Sequence, residues 1–225
     1  MSEELRTEEE QVEAIKSWWK ENGKSLIVTI VVVLGGYFGW NGYQDHQRAQ
    51  GEAASNVYQQ LVNKATKPLN EQTEADKTEL EAIAVQLKEE FPGSLYAQFA
   101  GLYAAKFAIE ANDFDAAETE LRALVEAGEK GPVTYLAQVR LARVLIQKEK
   151  LDDAFALVET TPEASFTAQY EEVKGDVLFA KGEKAQALNA YQAARAAATS
   201  LGINTQVLQR KIDDLAGVEL IGADA

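Results

Sequence analysis

The chain has no cysteine, a single histidine and little positive charge, and each lack removes a class of function. Without cysteine there are no disulfides and no thiolate metal sites, an absence that suits reducing and oxidising compartments equally. With His46 alone, a histidine-based metal centre cannot form within one chain, and a Ser–His dyad has only one place to assemble. Lysine and arginine total 22 against 36 aspartates and glutamates, a net charge of −14. Duplex binding rests on neutralising phosphates with such cations, so no nucleic-acid partner is expected. Nor is any cofactor. The 225 residues, 46% hydrophobic and 26% charged, suit one sizeable folded domain with an appendage.

What is present begins with SLIVTIVVVLGGYFGW, residues 25–40, inside a stretch from Ser25 to Gln44 without Asp, Glu, Lys or Arg. Its Leu, Ile, Val and Phe side chains favour insertion into a bilayer by about 3–5 kcal/mol. The apolar run is short for a span, but its flanks complete it. From Trp19 to Trp40 a helix covers about 32 Å, close to the hydrocarbon thickness of a bilayer. Trp18 and Trp19 at one end, with Trp40 and Tyr43 at the other, are placed as two interfacial belts, and Lys24 can snorkel outward. A cleaved signal or a soluble core helix are the alternatives. Against the signal, seven acidic residues lie among the 24 that precede the run, and no A-x-A follows it. Lys16, Lys20 and Lys24 precede the span and only Arg48 closely follows it, which predicts a cytoplasmic N-terminus and a main domain across the membrane. Gly35 and Gly39 form a G-x-x-x-G pair, readable as a helix-packing face or as the ordinary glycine content of membrane helices.

Ahead of the span, TEEEQVEAIKSWWKENG carries a capping box, Thr7 with Glu10. Val12, Ile15, Trp18 and Trp19 fall at helical spacing, and Asn22-Gly23 predicts the end of this amphipathic helix. It suits lying along lipid headgroups or touching a membrane partner.

Beyond Gln44 no period-2 strands appear, and apolar residues recur at spacings of three and four. Ala49, Ala53, Val57 and Leu61 make one stripe; Leu80, Ile83, Leu87 and Phe91 make a second, stopped by Pro92-Gly93. KPLNEQTEAD between them reads as a loop. Three turn-plus-alanine segments then recur: NDFDAA, EKLDDA and GEKAQA, whose last alanines, Ala117, Ala154 and Ala187, are 37 and 33 residues apart. That is the period of tetratricopeptide repeats. Ala105, Ala142 and Gly175 hold the small position on each first helix, while Leu121, Val158 and Tyr191 hold the large one on each second helix. No Trp begins a repeat, and Lys174 stands where Leu is usual, so the repeats are degenerate. NTQVLQRKIDDLAG reads as a solvating cap helix, with Asn204 as N-cap and Leu208, Ile212 and Leu215 inward. The tail from Val218 to Ala225 reads as loose. The expected fold is all-α: a cytoplasmic amphipathic tail over 1–24, a transmembrane helix over 25–44, an α-solenoid of tetratricopeptide-like hairpins over 45–217, and a flexible tail over 218–225.

No catalytic constellation emerges. Asp113/Asp115 and Asp152/Asp153 fall in turns, where aspartate forms turns and caps, and DFDAAE lacks the glycine and third carboxylate of a calcium loop. The expectation is a binding protein rather than an enzyme. First helices of such repeats line the concave face. In register they place Phe99, Leu102, Lys106 and Ile109 there in one unit, Leu136, Val139, Arg143 and Ile146 in the next, and Gln169, Glu172, Asp176 and Phe179 in the last. Two units thus offer an apolar strip with one cation each, suited to an extended chain or a partner's helix. Either this strip is open, or the cap helix or the N-terminal hairpin covers it.

EEEQVEAIKSWWKENGK running straight into the span, followed by FPGSLYAQFA entering degenerate repeats, resembles the YfgM family along essentially the whole chain. The resemblance implies a bacterial inner-membrane protein with a single-pass anchor and a periplasmic repeat domain. It also implies association with the SecYEG translocon and with a PpiD-type periplasmic chaperone; a groove tethered at the membrane adds translocating polypeptides as further candidate partners. It brings no catalytic residues. A scaffold for cell-envelope assembly that never touches translocating chains is the alternative, and an unrecognised hydrolase is a third.

Overall fold

The computed structural model describes residues 8–66, 71, 73–127 and 130–222. Among these there are nine α-helices, a short 3-10 turn over Ala164–Phe166, and no strand. The helices are α1 (Glu8–Ala65), α2 (Glu74–Glu90), α3 (Leu95–Glu110), α4 (Phe114–Glu126), α5 (Pro132–Gln147), α6 (Leu151–Val158), α7 (Thr167–Ala180), α8 (Lys184–Ser200) and α9 (Gln206–Gly222). The chain divides into two compact units, up to Ala53 and from Ala54 onward.

In the first unit α1 runs on through Asn22-Gly23, against the expected break. Asn22 donates through Nδ2 to the Trp18 carbonyl at 3.1 Å, and the Trp19 ring covers Gly23, leaving only 3.2 Å between that ring and a Cβ built on the glycine. A side chain that bonds back to its own helix, and a ring that shields the glycine backbone from water, remove the two reasons for stopping there. The Thr7–Glu10 capping box lies outside the described residues. Within the apolar stretch Thr29 donates to the Ser25 carbonyl at 2.9 Å, so its hydroxyl is satisfied inside the helix. This is the helix among the described residues that is long and apolar enough to cross a membrane.

The second unit begins with the last turns of α1, where Ala54 and Leu61 are fully buried. The expected loop KPLNEQTEAD ends early, because Thr73 opens α2 with a reciprocal capping box. Its hydroxyl accepts from the Asp76 N–H at 3.2 Å, and its own N–H donates to Asp76 Oδ2 at 2.9 Å. Leu80, Ile83 and Leu87 face inward as the spacing predicts, and the helix stops at Phe91 before Pro92-Gly93. Ser94 then caps α3.

Three helical hairpins follow, α3/α4, α5/α6 and α7/α8, each turned by the same device. Asn112, Glu149 and Gly182 sit in the left-handed region at φ of 60°, 59° and 82°. The next N–H in each case reaches back five residues: Asp113 to Ala108, Lys150 to Leu145, Glu183 to Leu178, all within 2.8–2.9 Å. This closure satisfies the carbonyls at the end of the first helix. The recurring segments seen in the sequence each begin or nearly begin on this residue, so turn geometry accounts for their spacing. Ala105, Ala117, Ala142, Ala154 and Ala187 all have no exposed surface, and Leu121, Val158 and Tyr191 are buried beside them. In the last hairpin Gly175 meets the Tyr191 ring so closely that a Cβ would lie 2.5 Å from it. The Tyr191 hydroxyl donates to Asp176 at 2.8 Å and so ties the ring in place. Asn204, the expected N-cap, accepts from the Gln206 N–H but stands one residue ahead of the capping position, because α9 begins at Gln206. Leu208, Ile212 and Leu215 are buried, and α9 continues to Gly222, past Val218 where the loose tail was expected to begin.

Between the first two hairpins lies an ion-pair cluster. Glu118 on α4 is 8% exposed and receives Lys148 at 2.6 Å, Lys150 at 2.9 Å and Arg122 at 2.8 Å. Lys148 also pairs with Asp115. Hydrogen bonds from Lys148 and then Lys150 hold the Glu118 carboxyl down to about 2 from its ordinary 4.5.

Two outcomes are expected. Gly175→Ala should cost about 1–3 kcal/mol by overpacking against a tethered ring, measured as a fall in the urea midpoint at unchanged m. Glu118→Gln should cost about 2 kcal/mol at pH 7. Because the folded pKa of Glu118 is depressed, its contribution is complete above about pH 4.5 and fades as pH falls toward 2. The gap between wild type and variant should therefore shrink with acidification; a constant gap from pH 7 to pH 3 would refute the ionic origin.

Candidate protein-binding groove

The face offered by α3 and α5 carries two adjoining clefts. One, of about 320 Å³, is lined by Phe99, Leu102, Tyr103, Lys106, Leu136 and Arg140. The other, of about 470 Å³, is lined by Lys106, Ile109, Glu110, Phe114, Arg140, Arg143, Val144 and Gln147. Lys106 and Arg140 belong to both. Six of the eight residues expected from the first two units thus line open space: Phe99, Leu102, Lys106, Ile109, Leu136 and Arg143.

The register differs in detail from the expected one. Val139 is 1% exposed and belongs to the core, and Leu102 at 6% is floor rather than wall. Ile146 packs half-buried against the same core. The open ladder on α5 is Leu136, Arg140, Arg143 and Gln147, and on α3 it includes Tyr103. A helix advances about 100° per residue, so choosing Val139 over Arg140 turns the reading toward the core. The missed residues, Arg140 above all, follow Val139 and Leu102 by one position. The signal was the aliphatic neighbour itself, which competes for the interior.

The two expected covers apply unequally. From the N-terminal side Tyr58 of α1 reaches over, its ring 5.3 Å from Tyr96, 5.6 Å from Phe99 and 6.5 Å from Tyr103. Burial raises the Tyr58 pKa. Phe99 is therefore partly roofed, whereas the stretch from Leu136 to Gln147 keeps its clefts. In the last unit the cap helix engages the acidic part of the face. Lys211 on α9 pairs with Glu172 at 2.8 Å and Asp176 at 2.6 Å, and lies 5.2 Å over the Tyr191 ring. Those two carboxylates are committed within the fold, while Gln169 and Phe179 remain exposed.

Electrostatically the groove opposes the rest of the molecule. Lys106, Arg140 and Arg143 line the clefts with Glu110 as the lining carboxylate. Lys106 lies 3.5 Å from Glu110, and Arg143 lies 3.7 Å from a Glu172 already bound by Lys211. Arg140 is half-buried, donates to the Leu102 carbonyl at 3.4 Å, and has no carboxylate partner among the described residues. Burial, then the neighbouring Arg143, lowers its pKa. The acidic pairs noted in the turns have structural work: Asp113 caps α4, Asp152 pairs with Lys181 at 2.7 Å, and Asp153 lies 3.8 Å from Arg122.

In the first unit Trp18, Trp19, Trp40 and Tyr43 are all more than half exposed, and Lys24 is exposed with them. A Cβ built on Gly35 or Gly39 would meet nothing within 4 Å.

A family profile described as a tetratricopeptide repeat-like domain matches residues 16–217. The chain is 34% identical to a Haemophilus influenzae protein named "Ancillary SecYEG translocon subunit", over 92% of this chain and 97% of that one. Proteins of the same name from Neisseria gonorrhoeae and Escherichia coli are 31% and 26% identical, over 92% of this chain and 97% and 96% of theirs. No solved structure matches. These names and the exposed apolar helix fit a membrane-anchored protein. Matched along nearly its whole length both by the profile and by such relatives, the chain belongs to the tetratricopeptide repeat-like family of ancillary SecYEG translocon subunits, the YfgM family.

Proposed function

We propose that this protein is an ancillary subunit of the SecYEG translocon in a bacterial inner membrane, acting by protein binding and not by catalysis. The observation that carries this reading is the similarity, over 92% of this chain and 96–97% of theirs, to three proteins of that name. The segment over 25–44 is its single span. Val28, Val31, Val32 and Phe38 are each more than 60% exposed, surface that water disfavours and hydrocarbon accepts. Lys16, Lys20 and Lys24 hold the N-terminus in the cytoplasm and place the repeat domain in the periplasm.

Tethering is part of the mechanism. Confinement beside the channel raises the effective concentration of the domain around its partners, so a weak groove suffices. There the domain links the channel to a PpiD-type chaperone and assists secreted or outer-membrane proteins as they emerge. The net −11 carried after Gln44 keeps this domain soluble at high local concentration.

Three outcomes check this. Protease added to intact spheroplasts should degrade the C-terminal domain; a shielded domain would reverse the orientation. In mild detergent the full chain should co-purify with SecYEG and the chain lacking residues 1–44 should not. Photo-cross-linkers at Leu136 and Arg143 should trap channel, chaperone or nascent chains. Adducts confined to envelope-assembly proteins would favour the scaffold reading instead.

A further inference from the structure

The groove between α3 and α5 combines half-buried apolar walls with cations that the fold leaves under-compensated. In a chain of net charge −14, three cations line two clefts beside one carboxylate. The central one, Arg140, is shared by both clefts and, among the described residues, has a long hydrogen bond, 3.4 Å, to the Leu102 carbonyl and no carboxylate partner. A partly desolvated guanidinium without a counter-ion is an unfavourable arrangement that an incoming carboxylate relieves. Basic residues are plentiful elsewhere but committed: Lys88 to Glu120, Lys148 to Glu118, Lys181 to Asp152 and Lys211 to Glu172. These half-buried lysines are ion-paired and half-buried Arg195 donates to the Gln209 amide oxygen, whereas Arg140, with a backbone carbonyl as its acceptor, lines both clefts of the groove.

We propose that this groove binds an acidic-apolar polypeptide segment, one whose carboxylates meet Arg140 and Arg143 while an apolar side chain enters the cleft between Phe99 and Leu136. The occupant is chosen by charge complementarity. A basic segment is drawn to the acidic surface at large but repelled here, and a purely apolar one leaves Arg140 uncompensated. The claim deepens the proposed function by giving the binding face a ligand chemistry, and it rests on that reading only for where the ligand comes from. A volume of about 320 Å³ in the first cleft accommodates one large side chain, and Lys106, common to both clefts, lies where the apolar and ionic contacts adjoin.

The test uses the full chain in mild detergent and fluorescence anisotropy of three labelled peptides of equal length. One alternates Leu and Phe with Glu, the second has Gln for every Glu, and the third has Lys. The Glu peptide should bind, the Gln peptide at least about tenfold more weakly, the scale of one lost charge-assisted contact. Arg140→Gln should weaken the Glu peptide by about tenfold and Arg143→Gln by less. Arg210→Gln, at an exposed position of α9 that is not among the residues lining either cleft, should leave it unchanged. Unaltered far-ultraviolet dichroism and urea midpoint for Arg140→Gln would separate lost binding from lost fold. If that variant unfolds, Arg143→Gln and the Glu-against-Gln comparison decide the question. Equal binding of the Glu and Gln peptides, or full binding by a folded Arg140→Gln chain, would overturn the proposal. So would a dimer dissolved by Arg140→Gln, which would give the groove to a second copy. Failure to bind the peptide while SecYEG still co-purifies sinks this inference alone; loss of co-purification with peptide binding intact sinks the functional reading alone.

Discussion

Close approach of paired helices is the constraint from which the rest of the domain follows. Each hairpin brings a small residue on one helix against a large residue on the other, and the approach survives only while the small side stays small. Ala105, Ala142 and Gly175 meet this need in order, and the demand is tightest at Gly175, where the Tyr191 ring occupies the space a Cβ would take. The left-handed residue at each turn sets the angle at which the second helix returns. Two of the three turns spend a non-glycine residue there, Asn112 and Glu149, so the geometry is held by packing and carbonyl closure as much as by backbone preference.

Stacking hairpins in this way leaves first helices side by side, and that creates the groove. Leu102 and Val139 turn inward to build the shared core, so the residues next to them, Tyr103 and Arg140, are left at the surface of the seam. The groove is a by-product of the solenoid in its shape and a choice of the sequence in its charge. At one end Tyr58 roofs Phe99; at the other Lys211 pairs with both Glu172 and Asp176. The open middle belongs to the first two hairpins, where Arg140 has no carboxylate partner among the described residues.

Much of this was legible in advance because it is written in local pattern. Turn chemistry and small residues at a fixed period expose a helical repeat even when the consensus letters are gone, and an uncharged run with aromatic ends is readable without any tertiary information. What misled was local as well. Asn22-Gly23 has the composition of a helix end, yet Asn22 bonds to Trp18 and Trp19 shields Gly23. KPLNEQTEAD has the composition of a loop, yet its Thr73 and Asp76 form a cap. Composition names the residues that can stop a helix; which way their side chains bond decides whether they do.

By itself the sequence determined the all-α class, the number and period of the hairpins, the positions of their small and large residues, and the apolar stretch ahead of them. These depend on spacing along one chain. Only the tertiary structure decided which face of α5 is open, that Arg140 stands without a carboxylate among the described residues, and that the cap helix consumes the acidic face of the last unit. Those depend on side chains far apart in sequence competing for the same volume and charge, such as Lys211 reaching Glu172 across 39 residues. A one-residue rotation on a helix changes that outcome while leaving the periodic pattern intact.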